Sequence, residues 1–194
     1  MRSRPPKKKS SNTPPRDGGP VGPEQRVSEL LLRLETSGPN PVQAAEEVDR
    51  MQAAVQRAGI QEEVLERVQA LCDAWSEIPL RGDQAQAWIV LVGAFDLKEH
   101  TERVAELAKE FSLAPPLRER AIRVLARLGG EEALSALQGV LLSGNNPASV
   151  RVAAAETLAT TGDRTLAPLL ASLLDEELPR PVWNAVAEAL ERLR

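Results

Sequence analysis

The chain has 194 residues, a formal charge of −4, a single cysteine (Cys72) and a single histidine (His100). One cysteine excludes an internal disulfide and a cysteine metal cluster, and one histidine excludes any site built on two imidazoles. No apolar run reaches the roughly 18 residues of a membrane span and no apolar segment follows the basic N-terminal residues as in a secretory signal, so the sequence predicts a cytoplasmic chain.

The charge is unevenly placed. Arg2, Arg4, Lys7, Lys8, Lys9 and Arg16 stand against Asp17, so residues 1–22 carry +5 and the remainder of the chain −9. A basic arm on an acidic body reads as two objects. Residues 1–23, MRSRPPKKKSSNTPPRDGGPVGP, are mostly proline, glycine, serine and charge. They bury too little apolar surface to offset their ordering entropy, and the sequence predicts a disordered arm. Lys7, Lys8 and Lys9 could attract nucleic acid or an anionic membrane in a strongly salt-sensitive way. Aromatic residues for base stacking are missing and the acidic body repels phosphate, so a solubilising or tethering tail is the preferred reading.

Residues 24–194 read as one helical domain. From Glu24, Val27, Leu30, Leu31 and Leu34 fall on one face, and Gly38–Pro39 stops the run. Asn40–Pro41 is an N-cap followed by a first-turn proline. Ala44, Val48, Met51 and Val55 form a second stripe ended by Gly59. Val64, Leu65, Val68, Leu71, Cys72 and Trp75 define a third helix, closed by Pro79. Asp83 is the expected cap of a fourth, QAQAWIVLVGAF, whose nearly unbroken apolar surface predicts burial on every side in the middle of a stack. A fifth runs from about Glu99 to Phe111, with Val104, Leu107, Ala108 and Phe111 facing inward. His100 lies at its start between Glu99 and Thr101 and reads as a solvated surface histidine.

From Pro115 the pattern is periodic. Leu117–Gly129 (LRERAIRVLARLG) and Val150–Gly162 (VRVAAAETLATTG) align without a gap, 33 residues apart, and a third copy begins at Val182 (VWNAVAEALERLR). Gly129 and Gly162 end the first helix of their copies, as glycine does where the backbone turns left-handed. Glu131 and Glu132 sit in the first turn of the next helix, where the helix dipole favours them. Asn146–Pro147 reads as cap and first-turn proline, and Thr165 to about Asp175 as the last second-position helix. One such unit cannot bury its own apolar face, so the sequence predicts an array of stacked helix pairs.

Val150, Arg151, Ala154, Ala155, Leu158, Gly162 and Asp163 fit the pattern Val-Arg-x-x-Ala-Ala-x-x-Leu-x-x-x-Gly-Asp. Leu117, Arg118, Ala121, Leu125 and Gly129 fit it with Gly130 in place of the aspartate. In these residues the chain resembles the HEAT-repeat family, in the bacterial form named for its occurrence in phycobilisome lyases. The resemblance covers residues 115–194 and, in degenerate form, 83–111; residues 24–79 are helical without the signature. It implies an all-α fold, an α-solenoid of about ten helices in antiparallel pairs stacked with right-handed sense, with divergent helices over 24–79 and repeats over 83–194. It further implies that Arg118 and Arg151 bond an acidic group in a neighbouring turn, with Asp163 and Asp175 as candidates. The third copy carries Trp183 in the arginine's place.

A final helix without its second member would leave Val182, Val186, Leu190 and Leu193 open, with Trp183 as a lid on the stack or an anchor for a partner. The candidate partner-binding residues are therefore Val182, Trp183, Val186 and Leu190, which also offer a route to self-association. Arg103, Glu106, Lys109 and Glu132 join them from the second helices, which line the concave side in the family.

Chemistry finds little support. Iron hydroxylases among HEAT arrays use repeated His-Glu pairs, and this chain has Glu99–His100 alone. Gly18–Gly19 precedes no helix and cradles no phosphate. The pairs Glu46–Glu47, Glu62–Glu63 and Glu131–Glu132 read as solvated faces or dipole compensation. The expectation is a non-catalytic protein that needs no metal or cofactor and binds another protein as adaptor, scaffold or regulatory subunit. A nucleic-acid-associated protein using its arm is the alternative, followed by a lyase-type enzyme subunit.

Overall fold

A computed structural model describes residues 22–36 and 38–194. The predicted arm, with Lys7, Lys8 and Lys9, lies outside the described residues except for Gly22 and Pro23. Among those residues there are eleven α-helices and no strand. They are α1 (Pro23–Glu35), α2 (Pro41–Arg50), α3 (Gln52–Ala58), α4 (Gln61–Ser76), α5 (Gly82–Ala94), α6 (Thr101–Lys109), α7 (Pro115–Leu128), α8 (Gly130–Leu142), α9 (Ala148–Thr160), α10 (Ala167–Leu173) and α11 (Arg180–Leu193). Short 3-10 turns, Lys98–His100 and Arg164–Leu166, lead into α6 and α10.

Helices α2, α5, α7, α9 and α11 pack each against the next and make one layer. A second layer holds α6, α8 and α10, which lie against the first-layer helix that follows each of them: α7, α9 and α11. Units are thus joined mainly across the repeat boundary. At the N-terminal end α1 packs on α2, α3 and α4, and α4 on α5. One apolar cluster runs through both layers from Val27 to Leu193. Each fully buried leucine in it, such as Leu125 or Leu158, contributes about 1.5–3 kcal/mol relative to exposure.

The most apolar helix is central, as its composition predicts: in α5, Ala85, Ala87, Trp88, Ile89 and Leu91–Ala94 are buried. Gly93 is required there. A Cβ at this position would stand 2.8 Å from Val124 Cγ2 on α7, closer than real side chains tolerate. Gly129 and Gly162 have φ of +67° and +68°, the conformation for which glycine was expected.

Several local expectations are corrected. The stripe Ala44–Val55 is two helices, because the chain bends at Met51. The bend turns Gln52 toward α5, whose C-terminal Ala94 carbonyl accepts its side-chain amide at 2.7 Å. Asp83 is not a cap: Arg81 holds that position and Asp83 falls in the first turn, where its charge suits the dipole. Asn146 does not cap α9 either; Pro147 precedes that helix and Asn146 is buried. Phe111 faces out, at 60% exposure. Helix α6 has ended at Lys109, the Glu110 carboxylate accepts the Ser112 N–H at 2.9 Å, and the chain swings outward. The Phe111 ring instead lies 4.9 Å from the Arg118 guanidinium, a cation–π contact.

Candidate functional site

The repeat arginines do not meet carboxylates. Arg118, 1% exposed, donates its Nε to the Ala108 carbonyl at 2.9 Å and its Nη2 to Asn146 Oδ1 at 2.6 Å. Asn146 in turn donates to the Val140 carbonyl at 2.7 Å. Arg151 donates its Nε to the Leu141 carbonyl at 2.8 Å. Ala108 and Leu141 lie in the last turns of α6 and α8, where carbonyls lack helical partners and the dipole is negative. The expected partner Asp163 stays on its own turn, accepting the Thr165 N–H at 2.9 Å and its hydroxyl at 2.7 Å. Those bonds hold its carboxyl below the usual aspartate value. Asp175 is exposed beyond the end of α10. Burial lowers the Arg118 guanidinium from its ordinary value.

Trp183 takes the arginine's task in the third copy, donating its indole N–H to the Leu174 carbonyl at 3.4 Å, at the end of α10. Trp183 is 43% exposed. The apolar residues beside it are not open, contrary to expectation. Val182, Val186, Leu190 and Leu193 are buried, because α11 packs against both α9 and α10. Of the C-terminal candidates only Trp183 meets solvent.

On the second layer, Glu106, Lys109 and Glu132 come together in a groove of about 280 Å³ between α6 and α8, floored by Ala105 and Ala136. Arg103 pairs with Glu106 one turn away and lines an adjoining hollow of about 440 Å³ with Lys109 and Leu113. On the first layer Arg123, Arg127, Glu156 and Arg192 line a groove of about 510 Å³ across α7, α9 and α11, which the sequence reading missed. A signal existed: Arg127, Thr160 and Arg192 occupy one and the same position of the three aligned copies.

His100 is not a surface residue. It is 6% exposed, packs edge-on against Trp88 with ring centroids 5.4 Å apart, and places Nε2 3.2 Å from Asp73 Oδ1. That approach lies outside hydrogen-bond angles, so Nε2 has no hydrogen-bond partner. Trp88 is itself fixed by donation to the Cys72 carbonyl at 3.0 Å. The Cys72 thiol is pushed up by burial and, secondarily, by Asp73 and Glu99, which leaves it protonated and unreactive. Glu46 and Glu47 are more than a solvated face: Glu46 meets Arg120 of α7 at 3.3 Å and Glu47 meets Arg26 of α1 at 2.8 Å. Glu62, Glu63, Glu131 and Glu132 are exposed in first turns, as read. Among the described residues, no group of three or more His, Cys, Asp or Glu could hold a metal ion, and no helix is long and apolar enough to cross a membrane.

Two layers of helices joined unit to unit by side-chain donors at helix ends define an α-solenoid. A family profile for HEAT repeats matches residues 86–191, more than half of the chain. The chain belongs to the HEAT-repeat family. No curated protein and no solved structure matches it.

Proposed function

We propose that this chain is a non-catalytic binding module of the cytoplasm, an adaptor, scaffold or regulatory subunit that holds another protein on the outer faces of its two helical layers. The observation that carries the reading is the series Arg118–Ala108, Arg151–Leu141 and Trp183–Leu174. It sets the stagger of successive units at their helix ends, inside the array for the two arginines and at its edge for Trp183, and leaves the grooved outer faces free for a partner. Residues 24–194 act as one domain in this reading, and the Val150–Asp163 signature supports the phycobilisome-lyase-type branch for the fold. Glu106, Lys109 and Glu132 with Arg103 are the proposed contact residues on the second layer, and the exposed Trp183 is a further anchor on the end.

The test is affinity capture by the intact chain from its native cells, followed by titration of the purified captured protein. Stoichiometric binding is expected, weakened about tenfold by the pair Glu106→Lys and Lys109→Glu with helicity unchanged. If no purified protein binds, or if DNA or RNA binds the chain tightly at moderate salt through Lys7, Lys8 and Lys9, the reading fails.

A further inference from the structure

We propose that the groove across α7, α9 and α11 receives an acidic peptide segment of a partner protein, its carboxylates resting on Arg123, Arg127 and Arg192. The proposal rests on the protein-binding reading above and adds the partner's chemistry.

Six of the sixteen arginines among the described residues hold elements of the fold together. Arg26, Arg67, Arg103 and Arg120 meet carboxylates, and Arg118 and Arg151 close helix ends. Arg123, Arg127 and Arg192 are exposed, and among the described residues none has a carboxylate within 4.0 Å. They nonetheless converge on one groove, in which Glu156 is the single acidic lining residue. Arg127 and Arg192 sit in the last turns of α7 and α11, where the helix dipole favours a cation, but their convergence with Arg123 on one groove serves no contact within the fold. Arg123 and Arg127 stand at i and i+4 on α7, a like-charge spacing that opposes the helix. Arg127 and Arg192 share a repeat position with Thr160, so the array itself sets two guanidinium groups on opposite banks, with Ala153, Thr157 and Thr160 between them. Small side chains between the banks leave room for a backbone.

Residues 23–194 sum to −9, so a concentration of unpaired positive charge on this body is a local exception. A guanidinium fork grips a carboxylate through two parallel N–H donors, a match that a lysine lacks. Neighbouring axes in such a layer lie 8–10 Å apart, so α7 to α11 spans roughly 20 Å, about six residues of extended chain. A peptide with several acidic residues in that length reaches both banks. Nucleic acid fits less well, because the surrounding body is acidic and no aromatic side chain lines the groove for stacking.

The experiment titrates the full chain with a fluorescein-labelled, twelve-residue alternating Glu–Ala peptide and reads anisotropy. A Lys–Ala peptide and a single-stranded oligonucleotide of equal charge serve as competitors. The Glu–Ala peptide is expected to bind at low salt and to weaken as salt rises from about 50 to 200 mM. Arg127→Ala with Arg192→Ala lowers affinity about tenfold, with unchanged helicity, since both side chains are exposed. Glu62→Ala, an exposed first-turn residue of α4, and the arm variant Lys7→Ala, Lys8→Ala, Lys9→Ala retain binding. Four results overturn the proposal: no binding by the full chain, loss in the arm variant instead of the groove variant, equal binding of the Lys–Ala peptide, or displacement by the oligonucleotide with the same arginine dependence. A partner captured equally well by the groove variant also overturns it and leaves the protein-binding reading standing; that reading falls only when no purified protein binds the unaltered chain.

Discussion

The indole N–H of Trp183 donates to the carbonyl of Leu174, nine residues back, at 3.4 Å. It thereby repeats with a different side chain the bonds of Arg151 to Leu141 and Arg118 to Ala108, each ten residues back. In every case a first-layer helix reaches the open carbonyl end of the second-layer helix before it. The arginines add a positive charge at the negative end of a helix dipole, and they do so inside the array. Tryptophan brings only the N–H, at an exposed edge where water can also reach the carbonyl. The series therefore weakens toward the C-terminal end.

That gradient is measurable. Arg118→Met leaves the Ala108 carbonyl and Asn146 Oδ1 without this donor in a buried place, and should cost about 3 kcal/mol. Arg151→Met removes one buried bond and should cost about 1–2 kcal/mol. Trp183→Phe keeps an aromatic ring, removes the donor and should cost less than about 1 kcal/mol. Urea midpoints at constant m check the order. Equal costs at the three positions would mean that the bonds do not grade from the interior to the end.

Gly93→Ala tests the contact between the two central helices. The new methyl would sit 2.8 Å from Val124 Cγ2, and overpacking of this kind costs about 1–3 kcal/mol. Val124→Ala in the same chain removes the obstructing methyl groups, so the double variant should recover most of the loss caused by Gly93→Ala. Additive losses in the double variant would locate the strain elsewhere.

The repeats and their glycines are legible in the sequence because the copies align without gaps, and helix-end glycine is a local signal. Partners far along the chain are not. Asn–Pro is a genuine cap signal, yet Asn146 is buried because the second nitrogen of Arg118, 28 residues away, needs an acceptor. His100 has polar neighbours in sequence, and only the 3-10 turn at Lys98–His100 carries its ring onto Trp88 of α5. Phe111 continues the apolar period of α6 past the point where that helix stops. The arginine groove lies in the same alignment as the core, at outward positions that apolar periodicity passes over: Arg127, Thr160 and Arg192 share one register.

The divergent N-terminal helices are tied to the repeats by charge as well as packing. Glu46 on α2 meets Arg120 on α7 at 3.3 Å, both half-buried by side chain. A double-mutant cycle with Glu46→Gln and Arg120→Met should return a coupling of about 0.5–1 kcal/mol that shrinks as salt rises. Zero coupling at low salt would assign the join between these regions to the packing of α2 and α4 on α5 and to the hydrogen bonds Gln52–Ala94 and Trp88–Cys72.

Asp163 gives the repeat a pH-dependent element. Its carboxylate accepts the Thr165 N–H and hydroxyl and holds the 3-10 turn Arg164–Leu166 ahead of α10. The first copy has Gly130 at this place, and α8 starts there without such a turn. Because those bonds favour the ionised form, the folded-state value lies below that of the unfolded chain. The stabilisation is then complete above the unfolded value of about 3.9 and is lost as pH falls from there through the lowered folded value. Asp163→Ala should lower Tm by about 2–4 °C at neutral pH. The gap between variant and wild type should hold steady down to about pH 5 and close below about pH 4. Thermal melts of both proteins from pH 7 to pH 3 test this, and a gap that widens in acid would mean that the carboxylate is not the form the turn prefers.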